Sequence, residues 1–223
     1  MSSTSIISVL LCTRNNRNTL PMVIESYLSQ DYPNLELIAV IDGEDTTYEL
    51  FKDVPNLVAP YMEHSVANLA IKRNIGIRAA HGDIIVHFDS DDWSGAGRVR
   101  HQVEAMAGVK VVSYSKAWWY DIRRQLATYA DCGPWSASMC YERAWALEHP
   151  WDETRLTCED GWFLEPVRES GMLRELDGGD NFVALSHGGN LPRPFGEPGW
   201  EIVPNRHLPE EFRKVMGLEY DVQ

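Results

Sequence analysis

Residues 6–18 read IISVLLCTRNNRN, an apolar run that ends in a string of polar residues. A run this continuous predicts a strand buried on both faces, as in a parallel sheet that helices cover on each side. The same order recurs in LIAVIDG at residues 37–43 and in IIVHFDSDDW at residues 84–93. The sequence therefore predicts three buried strands, each followed by a polar loop.

Helical patterns separate these strands. The apolar residues of the first helix recur at intervals of three and four, at Leu20, Val23, Ile24, Tyr27 and Leu28. Asn18 or Thr19 is suited to cap its N-terminus. A weaker cycle consists of an amphipathic stretch at 46–51 and a short strand at 57–59, and another helix is expected over 66–80. This alternation predicts an α/β fold with a mostly parallel sheet of right-handed βαβ units.

In such a sheet the loops after the strands lie along one edge, where α/β proteins bind ligands. Here those loops are Thr13–Asn18, Asp42–Asp45 and Asp89–Trp93. The pattern changes after Gly97. We expect a helix over 98–106, a strand over 109–114, a helix from 159 to 171, and a proline-rich segment from residue 191 with a short terminal helix.

The charge of the chain limits its partners. Lys and Arg number 20 against 33 Asp and Glu, a net charge of −13, which argues against binding nucleic acid or an anionic membrane surface. An anionic ligand would need a metal or local cations, for which Lys72, Arg73 and Arg98 are candidates. The four cysteines form no Cys-x-x-Cys pair, and neither a membrane span nor a signal peptide is visible. We therefore expect a cytoplasmic protein without an integral membrane segment.

Asp89-Ser90-Asp91-Asp92 is the strongest candidate for a functional site. Three like charges at the end of a buried strand repel one another, and a hard divalent cation such as Mn²⁺ or Mg²⁺ reverses that cost. A solvated turn in which one Asp caps a helix is the structural alternative. Because the other two polar loops are expected at the same edge, a single ligand that contacts all three loops is favoured. A nucleoside diphosphate fits, with base and ribose on the first two loops and the diphosphate on a metal at Asp89 and Asp91.

Two ordered stretches carry a family resemblance. ISVLLCTRNNRNTLPMVIESYLSQDYPNLELIAVIDGED at 7–45 and IKRNIGIRAAHGDIIVHFDSDDW at 71–93 resemble the nucleotide-binding half of family 2 glycosyltransferases, which have the GT-A fold. The family usually has a second aspartate where Ile41 precedes Asp42, and a small residue where Lys72 precedes Arg73. The resemblance implies one GT-A domain over 1–223, with a nucleotide-sugar-binding half (1–110), an acceptor half (111–190) and a C-terminal arm (191–223).

The resemblance also implies roles for particular residues. Donor-binding residues would be Thr13, Arg14, Asn15, Asp42, Arg73, Asp89 and Ser90. CEDGW at 158–162 resembles the family's acidic pair, in which Asp160, or alternatively Glu159, would be the catalytic base; a carboxylate that only caps the helix is the structural alternative. SHGGN at 186–190 resembles a late family motif whose histidine, here His187, approaches the metal. A structural histidine is the alternative.

The implied activity is inverting, metal-dependent transfer of a hexosyl-type sugar from a UDP- or GDP-sugar to a hydroxyl of a glycan, a lipid-linked sugar or a protein. Five tryptophans would line the acceptor groove or fill the core: Trp93, Trp118, Trp119, Trp135 and Trp162. A non-catalytic nucleotide-sugar-binding protein is one alternative. A sugar-nucleotide pyrophosphorylase is another, although residues 13–18 lack its glycines. A dehalogenase-like phosphatase would carry its acidic pair after the first strand.

Overall fold

A computed structural model describes residues 5–60, 62–156, 159–188, 195–196 and 198–218. Its strands are β1 Ile7–Thr13, β2 Leu35–Ile41, β3 Leu57–Val58, β4 Ile84–Asp89, β5 Trp93–Ser94, β6 Val111–Asp121, β7 Leu126–Asp131, β8 Met139–Glu142, β9 Leu173–Asp177, β10 Phe182–Ser186 and β11 Ile202–Val203. Its α-helices are α1 Leu20–Leu28, α2 Leu69–Ala79, α3 Arg98–Ala105, α4 Arg143–Glu148, α5 Glu159–Glu169 and α6 Glu210–Val215.

One sheet contains all of these strands. Its main path runs β11-β7-β6-β8-β4-β1-β2-β3. The four strands β3, β2, β1 and β4 are parallel to one another, as the alternating pattern predicted. Beyond β4 the sheet is mixed, because β8 is antiparallel to both β4 and β6, whereas β9 and β10 pair with β6 in parallel. The predicted α/β class, with a mixed region in the second half, is confirmed.

Helices cover both faces of the parallel strands. On one face, Val9 and Leu11 pack in a cluster that includes Leu20 and Val23 of α1 and residues of α3. On the other, Leu10 packs in a cluster with residues of α2 and α5. Because side chains alternate along a strand, a run that is apolar at every position needs cover on both sides. The apolar runs of the sequence meet this requirement.

Several boundaries differ from the expectation. The predicted strand over 109–114 is in fact the longer β6, because its aromatic continuation pairs with β7 and β10. Helix α2 begins at Leu69 instead of residue 66, since the Asn68 side chain accepts from the Ala70 N–H at 2.9 Å and fixes the start. Thr19 is the N-cap residue of α1 but makes no side-chain capping bond.

The C-terminal segment packs back onto the sheet. Strand β11 pairs with β7, and the Phe212 ring of α6 lies 5.6 Å from Trp93 and 5.5 Å from Tyr120, measured between centroids. The short terminal helix is therefore confirmed, whereas part of the proline-rich stretch (191–194 and 197) lies outside the described residues. Within the described residues, none of the helices is both long and apolar enough to cross a bilayer. The division at residues 110 and 190 stays a prediction.

Candidate functional site

The polar loops after β1, β2 and β4 meet at one edge of the sheet. Strand register places Cys12 opposite Asp89 and Thr13 opposite Ile41, so the three strands end side by side. The Asp42 N–H donates to the Thr13 carbonyl oxygen at 3.3 Å and joins the first two loops. The predicted juxtaposition follows from parallel pairing, since parallel strands direct their carboxyl ends to the same edge.

The acidic cluster lies at the end of β4. Oxygens of Asp89, Asp91 and Asp92 all lie within 4.8 Å of one another. Burial raises the pKa of Asp89 to about 6, with a further contribution from Asp91, while the charge of Arg73 opposes the shift. Burial, Asp91 and Asp89 likewise raise the pKa of Asp92 well above its usual value. Crowded, partly buried carboxylates of this kind suit a hard divalent cation, which accepts only oxygen-rich surroundings readily.

A late segment of the chain joins this cluster. The Leu185 N–H donates to Asp92 Oδ1 at 2.8 Å, which fixes the end of β10 beside the acidic loop. Two residues further on, His187 Nε2 lies 2.9 Å from Asp91 Oδ2. The structure thus brings His187 to the predicted metal residues. Gly189 and Asn190, the rest of the late motif, lie outside the described residues.

Side chains of the first loop hold the acidic loop in place. Asn16 Nδ2 donates to Ser90 Oγ at 2.5 Å, and Thr19 Oγ1 donates to the Ser90 carbonyl oxygen at 2.8 Å. A cleft of about 690 Å³ opens between the first loop, His187 and Met216. Asn16 was missed as a site residue, because its partner is distant in sequence and its own loop contains three asparagines.

Two buried oxygens at this edge have no hydrogen-bond partner among the described residues: Thr13 Oγ1 and Asp42 Oδ1. The other carboxylate oxygen of Asp42 accepts from Lys72 Nζ at 2.6 Å and from the Val66 N–H at 3.3 Å. Burial alone would raise the pKa of Asp42, but the Lys72 hydrogen bond and charge, together with hydrogen bonds from Ser65 and the Val66 N–H, outweigh it and hold the pKa below its usual value. Unpaired buried acceptors are costly, and these two oxygens can accept hydrogen bonds from a ligand.

The outer part of the first loop is open to solvent. Arg14 and Asn15 are exposed. Asn15 has a left-handed φ of 56°, a region that asparagine tolerates better than most residues. Its backbone N–H donates to Asp45 Oδ2 at 2.9 Å, which links the loops after β1 and β2. These two residues can therefore reach a ligand at the rim of the site.

An ion pair connects the acidic pair of α5 to α2. Arg73 Nη1 donates to Glu159 Oε1 at 2.7 Å, and the two side chains are only 2% and 15% exposed. The Arg73 guanidinium also lies 4.3 Å from the centroid of the Trp151 ring, while its Nη2 has no hydrogen-bond partner within the described ranges. Asp160 Oδ1 accepts the neighbouring Gly161 N–H at 2.9 Å. Of the two carboxylates that the structure describes here, Glu159 is tied into an ion pair and Asp160 is not.

All three cations expected to offset a bound anion have partners within the protein, and for Arg73 the partner is Glu159. Lys72 neutralises Asp42. Arg98 is fully buried and donates to Ser94 Oγ and to the carbonyl oxygens of His87 and Ala137. Its donors are therefore used inside the fold, although its charge still lowers the pKa of Asp89 and of Asp92.

The tryptophans divide between core and surface. Trp93 and Trp119 are buried and pack within core clusters. Trp118 and Trp135 are half-buried and pack against core clusters. Trp162, two residues after Asp160, is 48% exposed, and the Arg155 guanidinium lies 4.1 Å from its ring centroid. Only Trp162 combines exposure with proximity in sequence to the acidic pair.

Comparison with solved structures supports the fold. TarS of Staphylococcus aureus superposes with a TM-score of 0.66 at 16% identity, over 81% of this chain and 36% of that one. Glucosyl-3-phosphoglycerate synthase of Mycobacterium tuberculosis, solved with Mn²⁺, UDP and its product, gives a TM-score of 0.57 at 18% identity, over 88% of this chain and 76% of that one. Both are similar to this chain in fold, which agrees with the GT-A expectation.

Sequence comparison identifies relatives. A β-1,3-glucosyltransferase of Escherichia coli, WfaP, is 28% identical over 113 residues, which are 49% of this chain and 45% of that protein. The glycosyltransferase GlyA of Streptococcus pneumoniae is 32% identical over 90 residues, 39% of this chain and 13% of that one. The chain thus spans less than half the length of these relatives. The sequence model of Glycosyl transferase family 2 matches residues 8–142, more than half of the chain, and the chain therefore belongs to that family.

Proposed function

We propose that this chain is a metal-dependent glycosyltransferase that moves a sugar from a nucleoside-diphosphate sugar to an acceptor hydroxyl with inversion. One observation carries the proposal. The carboxylates of Asp89, Asp91 and Asp92 lie together at the strand edge, in contact with His187 through Asp91. The unpaired oxygens of Thr13 and Asp42 lie at the ends of the two neighbouring strands, next to this cluster.

UDP is the nucleotide that we favour over GDP. WfaP is named for transfer from UDP-Glc to a GlcNAc-diphosphoundecaprenol acceptor, and TarS has been solved with UDP and with UDP-GlcNAc. Thr13 Oγ1 and Asp42 Oδ1 lack a donor, and the ring N–H of uracil could supply one, as could that of guanine, so the choice of UDP rests on these relatives. The acceptor would be a lipid-linked sugar, a glycan or a protein. A cytoplasmic location is part of the proposal, since Cys12 and Cys140 form no disulfide among the described residues, as is usual in reducing compartments.

Asp89 and Asp91, with His187 at their edge, are the residues that would hold Mn²⁺ or Mg²⁺. Their fit rests on the 4.8 Å cluster and on the raised pKa of Asp89, about 6, which records the cost of keeping these charges together without a cation. When bound, the metal supplies Lewis-acid stabilisation of the negative charge on the departing diphosphate. Ser90 and Asn16, hydrogen-bonded to each other, would keep the ribose side of this edge rigid.

Asp160 is the proposed general base. It removes the proton of the acceptor hydroxyl while that oxygen attacks the anomeric carbon opposite the leaving diphosphate. The new carbon–oxygen bond forms as the bond to the diphosphate breaks, so the anomeric configuration inverts and the proton ends on Asp160. Glu159 is less suited to this step because Arg73 already uses its carboxylate. It would instead position the first turn of α5.

A panel of UDP- and GDP-sugars, each with and without Mn²⁺, tests the function. The expected result is a rise in melting temperature with a UDP-sugar only when Mn²⁺ is present, because a ligand that binds only the native state stabilises it. Release of UDP would then follow, with the product's anomeric configuration read by NMR. Binding without release, across a panel of glycan and lipid-linked acceptors, would favour the non-catalytic alternative. No Mn²⁺-linked binding of any sugar nucleotide would overturn the proposal.

A further inference from the structure

Arg123 lies against the residue that follows His187. It belongs to the turn between β6 and β7, where Asp121 Oδ1 accepts the backbone N–H groups of Arg123 at 3.0 Å and of Arg124 at 2.9 Å. At Gly188 a Cβ atom would lie 2.2 Å from the Arg123 Cζ and 2.3 Å from its Nη1. The guanidinium therefore occupies the space that a side chain at Gly188 would need, and the positive φ of 82° independently favours glycine there.

The backbone fixes this contact. The Ile122 N–H donates to the Ser186 carbonyl oxygen at 2.9 Å, which continues the parallel pairing of β6 with β10 to the end of both strands. Ile122 and His187, the chain neighbours of Arg123 and Gly188, both line the 690 Å³ cleft. His187 in turn contacts Asp91 at 2.9 Å. The Arg123 guanidinium thus lies against Gly188, next to His187, in a turn whose backbone is hydrogen-bonded to Asp121 and, through Ile122, to Ser186.

The charge of Arg123 is available to a ligand. Lys72, Arg73 and Arg98, the cations that the sequence suggested, are respectively paired with Asp42, paired with Glu159 and buried among carbonyl groups. Arg123 is exposed and forms no ion pair with the residues that the structure describes. In a chain of net charge −13, a free guanidinium beside an anion site has a large effect on local potential.

We propose that Arg123 binds the diphosphate of the nucleotide, on the side of the metal edge formed by His187. This inference deepens the proposed function and rests on it. The planar guanidinium donates two parallel hydrogen bonds to phosphate oxygens, a geometry that lysine cannot reproduce. The same guanidinium would stabilise the charge of the departing diphosphate, and Gly188 lets it approach because no side chain intervenes.

Isothermal titration with UDP in the presence of Mn²⁺ tests this role in the full chain. Arg123→Gln is expected to weaken UDP binding about 10-fold or more, the usual size of a lost charge-assisted hydrogen bond. Arg124→Gln is the matched control, because it removes the same charge from the same turn without contacting Gly188, and it is expected to change the Kd less than about 2-fold. Arg123→Lys should fall between the wild type and Arg123→Gln.

Uridine separates phosphate recognition from a structural effect. The weakening caused by Arg123→Gln is expected with UDP and not with uridine, while the melting temperatures of the Arg123→Gln and Arg124→Gln variants stay equal. An equal loss for uridine and UDP would overturn the proposal, as would an unchanged Kd for UDP, which would direct Arg123 to an acceptor phosphate instead. If the wild type binds neither UDP nor GDP with Mn²⁺, the proposed function itself fails.

Discussion

Arg73 Nη1 donates to Glu159 Oε1 at 2.7 Å. This ion pair joins α2 to the first turn of α5. Trp151 covers the guanidinium, and both charged side chains are largely removed from water. A buried ion pair gives little net stability, but losing one partner leaves the other charge uncompensated. The pair therefore fixes the position of the candidate base, Asp160, relative to the donor half.

Glu159→Ala is expected to lower the free energy of unfolding by about 3–5 kcal/mol, because it leaves the Arg73 guanidinium buried and unpaired. Chemical denaturation monitored by tryptophan fluorescence measures the loss. Asp160→Ala, at the next position of the same helix, removes a carboxylate without an ion pair and should cost less than about 1 kcal/mol. Equal losses for the two variants would contradict the importance of the pair.

Asp160→Asn is expected to lower turnover by about 10²–10⁴-fold, the usual contribution of a positioned general base. The Kd for the donor should stay within about 2-fold, since in the proposed mechanism the residue acts on the acceptor hydroxyl and not on the nucleotide. Glu159→Gln is the comparison, because its amide oxygen can still accept from Arg73, and its loss should be the smaller of the two. Unchanged turnover in Asp160→Asn would remove this residue from the mechanism.

Asp91→Ala is expected to abolish the Mn²⁺-dependent rise in melting temperature with UDP. Asp91 shares the 4.8 Å cluster with Asp89 and Asp92 and also contacts His187, so its removal dismantles the proposed cation site. Asp53→Ala, which removes an exposed aspartate outside the cluster, should leave the rise intact. A full Mn²⁺ effect in Asp91→Ala would place the metal elsewhere.

Thr13→Val tests the unpaired oxygens without changing side-chain volume. The Thr13 hydroxyl is buried and has no partner in the described part of the chain, so its removal should leave the free energy of unfolding unchanged or slightly higher. Binding of UDP should weaken by up to about 10-fold, because the nucleotide loses one acceptor. The two measurements together distinguish a ligand contact from a structural hydroxyl; a loss of stability with unchanged affinity would contradict the proposal.

Ionisation of Glu36, a residue outside the candidate site, makes the stability of the fold depend on pH. Burial alone would raise its pKa, but hydrogen bonds from the Ser8 hydroxyl, the His81 side chain and the backbone N–H groups of His81 and Gly82 outweigh it and lower the pKa. A carboxyl whose folded pKa lies below the unfolded value adds stability above the unfolded pKa of about 4.5 and loses it as the pH falls through the folded pKa.

Denaturation curves between pH 7 and pH 3 should therefore show Glu36→Gln losing less stability on acidification than the wild type. At pH 7 the variant should be the less stable of the two, because it lacks the ionised carboxylate that four donors stabilise. Parallel pH profiles for the two proteins would show that Glu36 ionisation does not contribute.

Local sequence patterns were sufficient to predict an element wherever the residues of that one strand or helix determine it. The runs at Ile7–Thr13, Leu35–Ile41 and Ile84–Asp89 could be recognised from the sequence because a nearly continuous apolar run requires cover on both faces. The length of strand β6 was underestimated, since its C-terminal part pairs not only with the adjacent β7 but also with β10, a segment far along the chain. Long-range pairing leaves no local periodicity that a single sequence reveals.

The sequence by itself determined the parallel half of the sheet, the edge at which its loops meet and the acidic cluster at that edge, because strand direction and burial follow from residue order. Only the tertiary structure decided which groups surround each charged side chain. Arg98 is enclosed by carbonyl groups, Lys72 and Arg73 are paired, and Arg123 stays open beside His187. Residue type gives a side chain its charge, but which groups surround it depends on segments that the fold brings together from distant parts of the chain.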